Sequence, residues 1–301
     1  MSLTAVAAVA LAFALEVVLA EPPTSVHPVA WLGRAIAPFD REWAHPNVVG
    51  ALVALVIPLA AAALVASLVA FAGRVDWLLA AVVAGLVLFT TTSLRMLLGE
   101  ARAIVAATER DLDAARERLE SLAGRDASDL SAGELRSAAV ESAAENLADG
   151  LVAPLLAFAL GALVSLPVAA GAAAWVKGVN TLDSMLGYHS KPVGTVSARL
   201  DDVVMWLPAR LSAVLVALAG RDLGSLTRAS EHADAPPSPN SGWPMATLAA
   251  VLGVRLAKPG VYDLPLGEEF PTVSESERSV RVVGVAGVLS YALAAGVVAW
   301  S

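Results

Sequence analysis

Apolar blocks separated by polar stretches dominate the order of residues in this chain. Residues 3–20 are apolar apart from Thr4 and Glu16, and residues 48–72, 77–98 and 280–300 form three more blocks. A helix of roughly 20 apolar residues crosses the hydrocarbon core of a bilayer, so each block predicts a membrane span. The turn Gly73–Asp76 is so short that the second and third blocks are expected to form an antiparallel hairpin. Trp77 and Trp300 stand at block ends, where interfacial aromatics belong. Pro58 is expected to kink the second block. The first four residues carry no base, so the first block reads as a retained span rather than a cleaved signal. Glu16, near the end of that block, is expected at the interface or facing the protein interior.

Between the blocks lie polar segments 21–47, 99–149, 177–210 and 221–279. Glu100–Leu122, rich in Ala, Arg, Glu and Asp, predicts an extramembrane helix. Ser131 and Glu134 match a capping box and predict a second helix running through Asp149. Residues 151–176 are apolar but contain Pro154 and Pro167. As one helix they would measure about 39 Å, which suits either a tilted, kinked span or two half-helices entering and leaving on the same side. Residues 211–219 are too short alone; a span there has to begin near Val203 and take in Pro208 and Arg210. Pro236–Asn240 is the clearest turn. With no internal repeat, the expected fold class is all-α: a polytopic helical membrane bundle of five or six spans with extramembrane amphipathic helices, one integral membrane domain over 1–301.

Composition narrows the chemistry. Hydrophobic residues make up 57% of the chain and charged residues 16%, with a mean hydropathy of +0.69. The absence of cysteine removes disulfides, thiolate nucleophiles and Cys-based metal sites. Four histidines, no two at helical ligand spacing, argue against a histidine metal centre. Net charge is −8, only Lys177, Lys191 and Lys258 are lysines, and no basic patch offers itself to nucleic acid. Surplus acid with few lysines suits a salt-adapted cell or, equally, a GC-rich genome.

Three stretches carry candidate chemistry. At about 100° per residue, Glu141, Ser142, Glu145, Asn146 and Asp149 fall on one helical arc, with Ala143, Ala144, Leu147 and Ala148 opposite. Spacing alone favours the solvated face of an amphipathic helix; the sharper alternative is an acidic site for a cation or amine at the membrane surface. Lys177, Asn180, Thr181 and Ser184 share a second face, with Asp183 three residues beyond Asn180. The lysine either snorkels or holds a phosphate or carboxylate. In Ser197–Asp202, Arg199 and Asp202 are spaced to pair on a surface, while Asp201 and Asp202, entering an apolar run, suit Mg²⁺ beside a phosphate. Asn240–Pro244 reads as a loop. No Walker A loop, G-x-G-x-x-G, G-x-S-x-G or H-E-x-x-H occurs.

In order along the chain, His27-Pro28-Val29 with Trp31 and Gly33, Glu141–Pro154, Lys177–Gly187, Ser197–Arg210, Ser238–Pro244 and Leu252-Gly253 resemble the adenosylcobinamide-phosphate synthase family of cobalamin-biosynthesis membrane proteins. The resemblance covers nearly the whole chain. Two positions depart from it: Met205 stands where the family pattern has asparagine, and Met245 where an acid is common, so neither is given a role. The resemblance implies a multi-pass cell-membrane ligase joining adenosylcobyric acid to (R)-1-amino-2-propanol or its O-phosphate. ATP and Mg²⁺ are the implied cofactors, and other cobalamin-synthesis membrane enzymes are implied as possible partners.

Such a ligation must first activate a carboxylate, most simply as an acyl phosphate. The expected roles follow from that. Asp201 and Asp202, with Asp183 beside them, hold metal; Lys177 and Arg199 neutralise phosphate; Glu141 or Glu145 takes a proton from the amine. Substrate is expected to be held by His27, Asn146, Asp149, Asn180, Ser184, Arg210 and Asn240. The motif segments then have to share one side, so 151–176 is expected to return to its starting side or the site to lie within the membrane. Arginines are densest in 95–136, which favours a cytosolic loop there. Two other classes compete: a multi-pass transporter for a small polar or corrinoid-related solute, which should show repeat symmetry, and a non-catalytic tethering subunit, which would not need Lys, Asn and Asp stripes.

Overall fold

The computed structural model describes residues 2–19, 21–123, 127–188 and 190–300. Among them the chain forms α1 (Ser2–Leu19), α2 (Pro28–Ile36), α3 (Pro46–Val75), α4 (Trp77–Thr91), α5 (Arg95–Ala107), α6 (Leu112–Ala123) and α7 (Ala132–Leu147). A single π turn, Ala148–Val152, leads into α8 (Ala153–Ala162), followed by α9 (Leu166–Leu186), α10 (Thr195–Val204) and α11 (Trp206–Ala219). The remainder is α12 (Ser225–Ser230), α13 (Gly242–Leu252), the antiparallel strands β1 (Arg255–Lys258) and β2 (Tyr262–Pro265), and α14 (Val273–Trp300). The fold is an all-α polytopic membrane bundle, and the β1–β2 hairpin is an element the sequence did not announce.

Four helical stretches are long and apolar enough to cross a membrane: Pro46–Val75, Trp77–Ala107, Ala132–Ala162 and Val273–Trp300. The pair Pro192–Val204 and Trp206–Ala219, bent by 47° at Met205, is apolar enough as a pair for a broken span or a re-entrant loop. The segment near Val203–Ala219, expected as a span, is therefore not one straight helix. Leu3–Leu19 is a shorter apolar helix. The helix expected over Glu100–Leu122 is two helices, separated at Thr108–Asp111, where Asp111 caps α6 by accepting from Asp113 N and Ala114 N.

Two compact units emerge. The first comprises residues 1–93, 149–205 and 290–301; the second comprises 94–148 and 206–289.

In the first unit, Asp76 makes the tight turn predicted between α3 and α4, its Oδ1 accepting from Leu78 N at 2.7 Å. Pro58 lies inside α3, and Gly178 of α9 sits against it: a Cβ on Gly178 would come 3.1 Å from Pro58 Cα. Such small-residue contacts let membrane helices approach closely. Residues 151–176 are not one helix. The chain turns at Leu163–Ser165, Ser165 caps α9 through Val168 N, and α8 and α9 pack back to back. They come close together at Gly161, where a Cβ would lie 2.7 Å from Ala169 Cα. Lys177 therefore lies inside α9.

In the second unit, α5, α6 and α7 share a core containing Ile104, Leu119 and Leu135. The predicted capping box at Ser131 and Glu134 is present, with both reciprocal bonds. A second box, Thr272 with Glu275, starts α14 seven residues before the apolar block at 280. Asn240–Pro244 is more than a loop: Gly242, Trp243 and Pro244 form the first turn of α13, which ends at Gly253 in the left-handed conformation (φ 74°).

Candidate functional site

The first unit gathers the acids and the lysine. Three-residue steps along α9 line up Lys177, Asn180 and Asp183 on one side of that helix. The π turn, a wider coil common at functional positions, carries Asp149, and α10 carries Asp201 and Asp202. The stretch entering α2 supplies Glu21 and His27. The partly buried Lys177 has Glu21 as its strongest electrostatic neighbour and Asp149 next. Its ammonium group makes no direct ion pair or hydrogen bond among the described residues, while its carbonyl accepts from Thr181 Oγ1 at 2.7 Å. Asp201 is set against Asp149, Asp183 and Asp202 and receives a hydrogen bond from the Asn180 side chain. Its Oδ1 is buried without a hydrogen-bond partner. Two carboxyl groups, Glu21 and Asp149, thus neighbour the ammonium group, and Asp149 in turn neighbours Asp201, which is set against Asp183 and Asp202, an arrangement short of cationic charge.

His27 caps α2, its Nδ1 accepting from Val29 N at 3.2 Å, and its Nε2 lies 3.6 Å from Glu21 Oε2. Burial holds its pKa below the ordinary histidine value; Glu21 opposes that shift and Lys177 adds to it. The nearby segment is fixed by Lys191, whose Nζ donates to Asp40 Oδ2 at 2.8 Å and to Met185 O at 3.1 Å.

Not every predicted residue joins this cluster. Glu141, Glu145 and Asn146 belong to the second unit, so the arc predicted with Asp149 is divided between units at the π turn. Nor is that arc a solvated face: Glu141 is 3% exposed and Ser142 6%. Glu141 Oε1 accepts from Ser137 Oγ at 2.7 Å, and its Oε2 accepts from Tyr262 OH at 2.8 Å. Ser137 Oγ in turn accepts from Ala257 N at 2.9 Å, so this carboxylate fastens the β hairpin to α7. The Asn146 amide donates to Ser142 O of its own helix. Arg210 and Asn240 hold each other: Nη1 donates to Asn240 Oδ1 at 2.5 Å and Nη2 to Pro239 O at 3.1 Å, with the guanidinium over the Trp206 and Trp243 rings. The exposed Arg199 forms no ion pair among the described residues, so the pairing with Asp202 suggested by spacing is not made. Ser184 is exposed, with its hydroxyl bonded to Asn180 O.

Sequence reasoning passed over Glu21 and Tyr262. Glu21 had a faint signal, being the only acid between the first apolar block and Asp40. Tyr262 had none, because its partner is 121 residues away. Among the described residues no group of three or more His, Asp or Glu side chains is placed to hold a metal ion by itself.

A family model described as CobD/Cbib protein matches residues 9–291. The chain belongs to the CobD/Cbib family. Curated relatives named CobD match most of its length. The probable cobalamin biosynthesis protein CobD of Methanothrix thermoacetophila is 35% identical, with 95% of this chain and 94% of that one covered. The CobD of Klebsiella pneumoniae is 36% identical over 96% of each chain, and that of Halalkalibacterium halodurans is 32% identical over 92% of each. No solved structure matches. This CobD/Cbib chain is a cobalamin biosynthesis protein with membrane-crossing helices.

Proposed function

We propose that the protein is the amide-forming enzyme that joins (R)-1-amino-2-propanol, or its O-phosphate, to the free carboxylate of adenosylcobyric acid at the cell membrane. The observation that carries this proposal is the Lys177 cluster: an ammonium group with no direct partner that has Asp149 as a neighbour in common with Asp201, a carboxyl with one buried oxygen unsatisfied. Lys177 offers a full positive charge to a substrate anion, either the corrinoid carboxylate or a phosphoryl oxygen. The surrounding acids favour a cationic amine, and Asp201 is the carboxylate best placed to take its proton and release the nucleophilic lone pair. The sequence points to Glu141 or Glu145 for that role. Glu141 already accepts two hydrogen bonds within the second unit, so it is replaced in this scheme. Asn180 orients Asp201, and His27, held neutral by burial, keeps the entry stretch of α2 in place.

Magnesium commonly takes one or two carboxylates and completes its shell with water and phosphate oxygens. Asp201 and Asp202 fit that use, although no complete cage exists. When bound, the ion would supply charge neutralisation for a phosphorylating nucleotide. ATP remains the proposed energy source, held without a P-loop.

The test is a ligation assay on purified protein in detergent, with adenosylcobyric acid, ATP and each amine, read by product mass. Wild type should form the amide, and Lys177→Met and Asp201→Asn should each lower the rate by about 10²-fold or more. Full activity in both variants would remove the assignment. Solute uptake into proteoliposomes without product formation would favour the transporter instead.

A further inference from the structure

A groove of about 420 Å³ opens within the second unit between α5 and α14, lined by Arg102, Arg281, Gly284, Val285 and Val288 among others. An adjoining recess adds Glu277 to the same two arginines. Neither guanidinium has a hydrogen bond or ion pair among the described residues, and both side chains are exposed. Two cations against one acid leave this spot positive in a chain of net charge −8.

The groove is polar at one end only. From Arg281 to Val288 the helix advances about 10 Å, and over that length the lining is apolar: Val285 is 49% exposed and Val288 48%. Gly284 adds no side chain to it. Both flanking helices lie within membrane-crossing stretches, Trp77–Ala107 and Val273–Trp300. Arg102 and Arg281 stand where the apolar sequence of each gives way to polar sequence. Arginines at such a boundary meet lipid headgroups, and the apolar channel beside them runs into the hydrocarbon.

We propose that this groove is a specific seat for one anionic phospholipid, with its phosphate on Arg102 and Arg281 and one acyl chain along Gly284–Val288. A soluble phosphate would use the arginines and leave the apolar channel unfilled. A zwitterionic lipid would fill the channel but carry no net charge to match the arginines. The seat shares no residue with the Lys177 cluster and does not depend on the ligation chemistry.

The test uses the full chain in detergent, titrated with phosphatidylglycerol, phosphatidylcholine or inorganic phosphate, and followed by native mass spectrometry and thermal melting. Wild type should retain phosphatidylglycerol about tenfold more tightly than phosphatidylcholine, as two boundary arginines allow, and should melt higher with it. R102Q/R281Q should lose that preference, Gly284→Leu should block the acyl leg, and R110Q, an exposed arginine outside the groove, should behave as wild type. If the double variant does not fold, R102Q alone and Gly284→Leu carry the comparison. Equal retention of the two lipids, an equal response to inorganic phosphate, or unchanged lipid preference in the groove variants would each overturn the proposal.

Discussion

His27 is a partly buried imidazole kept neutral, and this has a direct consequence for pH. Its folded pKa lies below the unfolded value of 6.5, with burial the largest cause. As pH falls through 6.5 the unfolded chain binds a proton that the folded chain refuses, so stability declines towards acid from this residue and is regained above that pH. His27→Asn keeps a side chain that can cap α2 and removes the titration. The drop in melting temperature between pH 7.5 and 5.5 should therefore be smaller in the variant than in wild type. An unchanged drop would assign the acid sensitivity to other groups.

A second residue-scale expectation concerns Tyr262. Tyr262→Phe deletes a hydrogen bond to buried Glu141 and should destabilise the fold by about 1–3 kcal/mol, measurable as a lower melting temperature. Glu141→Gln keeps the shape and should cost less. If Glu141 were instead a proton acceptor for substrate, Glu141→Gln would abolish ligation while leaving melting nearly intact.

Helices are where sequence and structure agree best, and the disagreements have physical causes. The α3–α4 hairpin followed from two apolar blocks around Asp76, and α7 from the Ser131–Glu134 box, because both signals are local. Residues 151–176 left two solutions open, since apolar content specifies lipid or core but not direction. The break at Leu163–Ser165 is decided by close packing of α8 on α9, a property of two helices together. Gly161→Val should wedge them apart and lower stability by about 1–3 kcal/mol, whereas Gly296→Val, with open space around its Cβ position, should be near neutral. Thermal melting of the two variants side by side checks this. The candidate site divides in the same way. Lys177, Asn180 and Asp183 could be aligned from helical spacing, as could the presence of Asp201 and Asp202 nearby in sequence. Spacing could not show that Glu141 is consumed by a hairpin tyrosine, or that Arg210 and Asn240 hold each other.

At the scale of the molecule, α3 sets the sidedness of the first unit. Its 30 residues rise about 45 Å from the loop containing Asp40 to the turn containing Arg74. Since Lys191 is bonded to Asp40, the loops at both ends of that ion pair share one side. The chain has no cysteine, so single cysteines can be placed freely. Glu42→Cys and Ser190→Cys should react with an impermeant maleimide from the same side, and Arg74→Cys from the other. Labelling of Ser190→Cys together with Arg74→Cys would contradict this arrangement.

The bend at Leu163–Ser165 also has a consequence for parity. An antiparallel pair of legs adds an even number to the running count of crossings, so with α9 returning alongside α8 the loop after α9 faces the side from which α8 set out. An insertion that straightened α8 and α9 into a single rod would make that number odd. The loop after α9 would then be delivered to the opposite compartment.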